Sequence, residues 1–427
     1  MRARRRVVVT GCGAVAPGAA SARELWSNAT KGVAAVGPVS RFDASAFPVR
    51  IAAEAADPSG EALAPLGTDF AGRGRISAFA AAAAGAALAD AGLAQHGEWA
   101  RRAGLSLASG MGTYGHAEVF RAAAAAASEP DFPARAFSER LREEVLPHAG
   151  ERQTPGALAA RLARSAGIEG PVLASMTACA GGTQAIGDAF RWIRRGEADV
   201  VLAGGSDSEI YPMGLASFCL LGALSRRNDE PARASRPFDR ARDGFVLGEG
   251  SGFLVLEERE AALRRGATVL GEIAGFGSAC DAFRVTDPHP DGLGAILAMR
   301  RALEDAGLAP ADVGYVNAHG TSTPGGDRVE ALALGAVFGE GLPRVAVSST
   351  KSMIGHLTVA AGAVEAIVTL YSIRDGLVHA TLNQETPDPD CPLDTVPEGP
   401  RRLDLRAALS NSFAFGGQTA CLAFVRA

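Results

Sequence analysis

Lysine is almost missing from this 427-residue chain: of 42 basic residues, only Lys31 and Lys351 are lysines and the rest are arginines. The six cysteines (Cys12, Cys179, Cys219, Cys280, Cys391, Cys421) show no Cys-x-x-Cys pair, which argues against a zinc site and against a disulfide framework. No stretch of about 18 strongly apolar residues occurs, so a membrane-spanning helix is not expected. Basic runs interleaved with aromatics are absent and the net charge is −5, which removes nucleic acid as an expected partner. There is no Walker sequence and no Gly-x-Ser-x-Gly elbow. The basic start Arg2–Arg6 followed by VVVTGCGAVAPG has the outline of an export signal, but Thr10, the glycines and Pro17 break its apolar stretch. A reduced, cytoplasmic protein is expected.

What is present is apolar and glycine-rich: 47% hydrophobic residues, 21% charged and 52 glycines, the profile of a compact α/β protein. Short runs such as RVVVT (6–10), DVVLAGG (199–205), GFLVLEE (252–258), YVNAHG (315–320) and VAVSST (345–350) predict strands buried on both faces, alternating with Ala-rich helices. Gly11-Cys-Gly13-Ala-Val-Ala16 matches a dinucleotide fingerprint. Pro17-Gly18 prevents the helix that motif needs, and a strand turning tightly beneath a helix is the expected structure. The two halves echo each other. Ala87-Leu-Ala-Asp-Ala-Gly-Leu93 recurs as Ala302-Leu-Glu-Asp-Ala-Gly-Leu308, and Gly182 with Ile193-Arg-Arg-Gly196 recurs as Gly362 with Ile373-Arg-Asp-Gly376. Two echoes in one order predict a duplicated unit, residues 1–258 and 259–427, with extra length in the first half at about 114–152.

Three segments gather reactive residues among small neighbours. Ser175-Met-Thr-Ala-Cys179-Ala-Gly-Gly places a cysteine where a helix should start, and the macrodipole there would favour the thiolate. Cys179 alone reads equally as a nucleophile or as a small buried hydrophobe, the reading that suits Cys12, Cys219, Cys280 and Cys421. Asn317-Ala-His319-Gly-Thr321-Ser-Thr323 and Ser348-Ser-Thr-Lys351-Ser-Met-Ile-Gly-His356 each bring one of only seven histidines just past a strand, where α/β proteins gather ligand sites. Lys351 keeps an ammonium where the chain otherwise uses guanidinium, a chemical difference and not only one of charge. A thiol can carry an acyl group, and two neutral imidazoles can steady the enolate left by decarboxylation. His356, at a helix start, should have a lowered pKa. A cysteine protease would use the Cys/His pair but has no role for the second histidine and the lysine.

These residues resemble the elongating β-ketoacyl–acyl carrier protein synthases of the thiolase superfamily. The match runs from RVVVTGCGAVAPGA through TACAGG, SRPFDRARDGFVLGEGSG, NAHGTSTPGGD and STKSMIGH to SNSFAFGGQTA. The resemblance implies a duplicated, five-layered αβαβα fold, usually dimeric, and a two-carbon extension of acyl chains with malonyl as the donor. It makes Cys179 the nucleophile, and His319 and His356 the decarboxylating pair. Lys351 becomes an electrostatic support near Asp327 and Glu330, and Thr321 and Thr323 become holders of the phosphopantetheine arm. The N–H groups of Cys179 and Phe415 form the oxyanion hole, Phe413 and Phe415 gate the acyl pocket, and Met111 lies where that pocket meets the dimer partner. Acyl carrier protein brings both substrates, and no metal or organic cofactor is implied. A homodimer is expected, with a heterodimer beside a chain-length-factor-like subunit as the alternative. Ala414 replaces a glycine of the usual gate loop and Gln418-Thr419 follow it, so the gate's motion is expected to differ. That departure and the longer 114–152 segment favour a polyketide or polyene pathway over housekeeping fatty-acid elongation. A non-catalytic chain-length factor would lack the cysteine. A degradative thiolase would use a second cysteine near the C-terminus, and Cys421 lies there on an expected strand.

Overall fold

The computed structural model describes residues 4–93, 96–110, 134–144 and 154–427. Five strands come from the first half: β1 (Val7–Val15), β2 (Ala103–Ser109), β3 (Val172–Ser175), β4 (Val200–Ser208) and β5 (Glu249–Glu258). Five come from the second: β6 (Gly271–Cys280), β7 (Val313–Asn317), β8 (Ala346–Ser348), β9 (Ala407–Phe413) and β10 (Gln418–Val425). The first set is ordered β3-β2-β4-β5-β1 and the second β8-β7-β9-β10-β6, the same permutation twice. In both, the fifth strand runs antiparallel to its two neighbours, while the other pairings are parallel. The sheets join edge to edge where Val7–Val9 pair with Gly271–Ile273.

Six helices fill the same three places in each half: α1 (Arg75–Asp90), α2 (Pro155–Ala166) and α3 (Gly181–Arg195), then α4 (Leu293–Ala306), α5 (Pro324–Phe338) and α6 (Ala361–Asp375). α3 and α6 pack on each other between the sheets, and the other four cover the outer faces, which gives the layering αβαβα. α6 is buried on every side from Ala361 to Ile373, as its all-round apolar sequence requires. Glycine sets the closeness of that middle layer. A Cβ on Gly182 would stand 2.6 Å from the nitrogen of Ala363, and one on Gly362 would stand 2.1 Å from Thr183 Oγ1.

The duplication reaches individual atoms. A Cβ on Gly11 or Gly13 would strike the carbonyls of Ala87 and Ala83 in α1, at 2.3 and 2.0 Å. On Gly275 or Gly277 it would strike those of Ala302 and Ala298 in α4 at the same two distances. The Gly-x-Gly on β1 is therefore a bed for a helix, as expected. The strand runs on through both glycines to Val15, and the tight turn comes at Pro17-Gly18, where Ala16 and Ala19 exchange backbone hydrogen bonds of 2.9 Å. The extra length of the first half does fall between β2 and β3, a connection more than twice as long as that between β7 and β8. Of segment 114–152, only the helix Ala134–Glu144 lies within the described residues, and Met111 lies outside them. Among the described residues no helix is long and apolar enough to cross a membrane.

Candidate active site

The second half of the site is built at the C-terminal ends of parallel strands, where the sheet frees its last backbone groups. β7 delivers His319, β8 leads into Lys351 and His356, and β9 delivers Phe413. From the first half, β3 runs into a short 3₁₀ turn, Ala178–Ala180, that carries Cys179 onto α3. Ala178 has φ +46°, a left-handed backbone rarely taken by residues other than glycine. Its counterpart in the second half, Thr358 before α6, has φ +49°. Cys179 thus corresponds to Val359, which packs with Ala108 and Ala185 and fills the space a side chain on Gly181 would need. Buried Asp207, at the end of β4, fixes that second turn by accepting from the Thr358 hydroxyl and from Val359 N–H (3.1 Å).

Cys179, His319 and His356 line one cavity of about 280 Å³, together with Thr321, Thr323, Phe413, Ala414 and Phe415. The imidazoles meet edge to face with centroids 5.3 Å apart. Phe413 lies 5.7 Å from His319 and Phe245 lies 5.3 Å from His356, which keeps the rings in apolar company. Burial first, then the Lys351 charge, holds both histidines well below the ordinary imidazole pKa, so both are neutral. The helix start expected beside His356 lies further on: α6 begins at Ala361, and burial rather than a helix dipole is the main cause.

Lys351 settles which nitrogen of His319 carries the proton. Its Nζ donates to the His319 carbonyl at 2.7 Å and lies 3.4 Å from His319 Nδ1. An ammonium has no lone pair to offer, so Nδ1 accepts and Nε2 keeps the N–H. His356 Nδ1 has no partner among the described groups, so no protein contact competes for that nitrogen.

The thiol departs from its expected state. Burial pushes Cys179 up to about 12, against the opposing pull of Lys351 and of the backbone N–H groups of Phe415 and Cys179 itself. Desolvation outweighs the helix start, and the resting group is a thiol. The same two N–H groups converge on the sulfur, which puts a pair of donors beside any carbonyl attached to it. Of the other cysteines, Cys12 and Cys421 are buried as expected. Cys219 is part-exposed, and Cys280 is exposed, its sulfur near the Gly416 carbonyl (3.7 Å). Cys421 sits inside β10 and does not line the cavity.

Burial raises the Glu330 pKa, Lys351 lies close enough to oppose that rise, and each support has its own partners. Glu330 accepts from the N–H groups of His319 and Gly320 (2.9 and 2.7 Å), clamping the histidine's backbone. Asp327 accepts from Ser322 and Phe238 (3.1 and 2.9 Å) and fixes the neighbouring loop. The ion-pair partner of Lys351 is neither of these but Glu365 of α6, each side chain being 1% exposed. Glu365 was open to discovery as the one acid inside the apolar run AGAVEAIVTLYSI. Removing one member of such a pair strands the other in a dry interior. Glu365→Leu is expected to lower unfolding free energy by about 3–5 kcal/mol in urea titration, and adding Lys351→Met should restore most of it.

Thr321 and Thr323 join hydroxyls at 2.9 Å along the cavity wall. Ala414 takes φ −131° and ψ 155°, extended backbone that any residue adopts, so its methyl does not strain the loop in this state. The left-handed positions fall at Gly416 and Gly417. Among the described residues no group of three or more His, Cys, Asp or Glu is placed to hold a metal ion.

A thiol with two N–H donors beside it, facing two neutral imidazoles across one cavity, is the equipment of a carbon–carbon condensing enzyme. Comparison with known proteins gives the family. The N-terminal domain of beta-ketoacyl synthase matches residues 4–262, and the C-terminal domain matches 270–385. The 3-oxoacyl-[acyl-carrier-protein] synthase 2 of Synechocystis sp. is 42% identical, covering 99% of this chain and 98% of its own. Among solved structures, the ishigamide ketosynthase/chain length factor covers 100% of both chains at 32% identity and TM-score 0.85. A type II polyketide ketosynthase solved with its acyl-carrier protein covers 99% of this chain and 100% of its own, also at 32% and 0.85. The chain belongs to the β-ketoacyl synthase family, with the thiolase-like fold, and is a ketosynthase, an acyltransferase-type condensing enzyme.

Proposed function

We propose that the chain extends a carrier-bound acyl group by two carbons in a ping-pong reaction. The acyl group moves from the carrier's phosphopantetheine thioester to Cys179 sulfur, and the thiol proton leaves with the departing pantetheine thiol. Malonyl on a second carrier then loses CO₂ as the bond between its α-carbon and its carboxylate breaks, and the electron pair becomes an enolate whose oxygen faces His319 and His356. The enolate carbon attacks the Cys179 thioester, the tetrahedral oxygen draws on the N–H groups of Cys179 and Phe415, and the carbon–sulfur bond breaks to leave the Cys179 thiolate, which takes a proton from solvent. The observation that carries this is the neutral, facing pair of imidazoles in the same cavity as the cysteine. A protonated pair would bind the malonyl carboxylate and oppose its loss. Neutral N–H donors stabilise the enolate without holding the carboxylate. Thr321 and Thr323 hold the pantetheine arm, Phe413 and Phe415 gate the acyl end, and the reaction needs no cofactor beyond the arm the carrier brings.

We place the enzyme in a polyketide or polyene pathway, working in the cytoplasm as a homodimer. Ala414 supports the pathway: its methyl lines the cavity and bars the loop from left-handed backbone at that position, a stiffer gate than glycine would give. A conjugated chain has few rotamers to lose in passing such a gate, and a saturated one has many. Fatty-acid elongation fits the 3-oxoacyl-[acyl-carrier-protein] synthase relatives equally and is the second reading. Carriers loaded with saturated and with polyunsaturated chains of equal length, offered together with malonyl–carrier, decide between them. Product masses should show the polyunsaturated chain extended first, and equal or reversed use would assign fatty-acid elongation. Light scattering of the purified protein tests the homodimer. A monomer that gains activity only with a second subunit would assign the heterodimer, the arrangement named for the ishigamide protein.

A further inference from the structure

His379 is wholly buried and does not line the cavity, yet its ring stands at the centre of a polar cluster. Its Nδ1 lies 2.9 Å from the carbonyl oxygen of Ala380, which can only accept, so Nδ1 carries the ring's proton and Nε2 presents a lone pair. Three hydroxyls gather at Nε2: Thr350 at 3.1 Å, Tyr315 at 3.2 Å and Ser348 at 3.3 Å. The direction of the first contact is fixed. Thr350 Oγ1 receives an N–H from Asn317 Nδ2 at 3.0 Å, and its own hydrogen is free for His379. A directed chain results, from Asn317 through Thr350 to His379 and out to Ala380. Burial keeps the ring neutral, with its pKa pushed down to about 4, so the lone pair persists at working pH.

The two ends of that chain matter. Asn317 is the last residue of β7, two before His319, and Thr350 immediately precedes Lys351. One ring therefore ties together the two segments whose side chains meet where Lys351 touches His319. We infer that His379 is a positioning residue for the decarboxylation half-reaction, holding the β7 and β8 ends in register so that His319 keeps its N–H aimed at the enolate. This role rests on the condensation chemistry proposed above. Cys179 comes from the other half of the fold, on α3, and none of the chain's links reaches it, so its acylation should not depend on His379.

The test separates the two half-reactions in His379→Phe and His379→Gln, beside wild type and a urea titration of each. His379→Phe should acylate Cys179 from acyl–carrier within about twofold of wild type. Its kcat for CO₂ release from malonyl–carrier should fall at least about tenfold with KM within about twofold, because misaimed groups cost rate and not binding. His379→Gln, whose amide oxygen can accept from Thr350, should recover most of that loss. Should the Phe variant not fold, Thr350→Val cuts the same link from the other end and should show the same split. Unchanged CO₂ release in the Phe or Val variant overturns this role, as does a proportional loss of acylation and CO₂ release. A wild type that releases no CO₂ from malonyl–carrier overturns the reaction itself, and the role with it.

Discussion

Cys179→Ala is expected to stop chain extension, with condensation falling roughly 10⁴- to 10⁶-fold, the scale seen when a covalent nucleophile is removed. The reason is stoichiometric as well as energetic. Without the sulfur there is no thioester for the enolate to attack, and the N–H groups of Cys179 and Phe415 have no carbonyl to bind. Intact-mass measurement after incubation with acyl–carrier should show the acyl increment on wild type and none on the variant. Release of CO₂ from malonyl–carrier should continue within about tenfold, since both imidazoles and Lys351 remain in place. Acylation elsewhere on the chain with condensation retained would falsify the assignment of the nucleophile.

His356→Ala should give the opposite pattern. It takes away one of two donors aimed at the developing enolate oxygen, and a lost donor in a dry site costs roughly 10²- to 10³-fold in rate. CO₂ release and condensation should drop together by that factor, while acylation of Cys179 stays near wild type. His319→Ala should be at least as severe, because it also removes the ring that rests against Lys351. If His356→Ala lost acylation as heavily as decarboxylation, the histidine would be serving the thiol and not the enolate, and the division of labour argued here would fail.

Much of this molecule is legible from residue order, for reasons that differ from element to element. α6 announces its central place because no side of it is polar, and the echo of Gly182 in Gly362 marks a real crossing, where any side chain would collide. His319 and His356 stand out because rare residues follow strand ends amid glycine and alanine. Pairings between distant residues are less legible. Lys351 finds Glu365 and not the acids of the preceding motif, because β7 and α5 turn Asp327 and Glu330 toward backbone N–H groups. His379 carries no local signal at all, since its hydroxyl partners are Tyr315, Ser348 and Thr350, and only the parallel sheet brings them to one ring. The thiol shows a third kind of gap. A helix start argues for ionisation, but the depth of the cavity decides otherwise, and depth is a property of the folded surface.

The twofold plan also has an arithmetic consequence. Each half offers an equivalent helix head reached through the same unusual backbone turn, but the second is closed by Val359 and anchored by Asp207. Among the described residues, a molecule with near-duplicate interiors thus owns a single chemical mouth, and saturating it should load one equivalent of acyl group per polypeptide. The silent twin is free to be rigid, and it forms the wall against which its working sibling is braced.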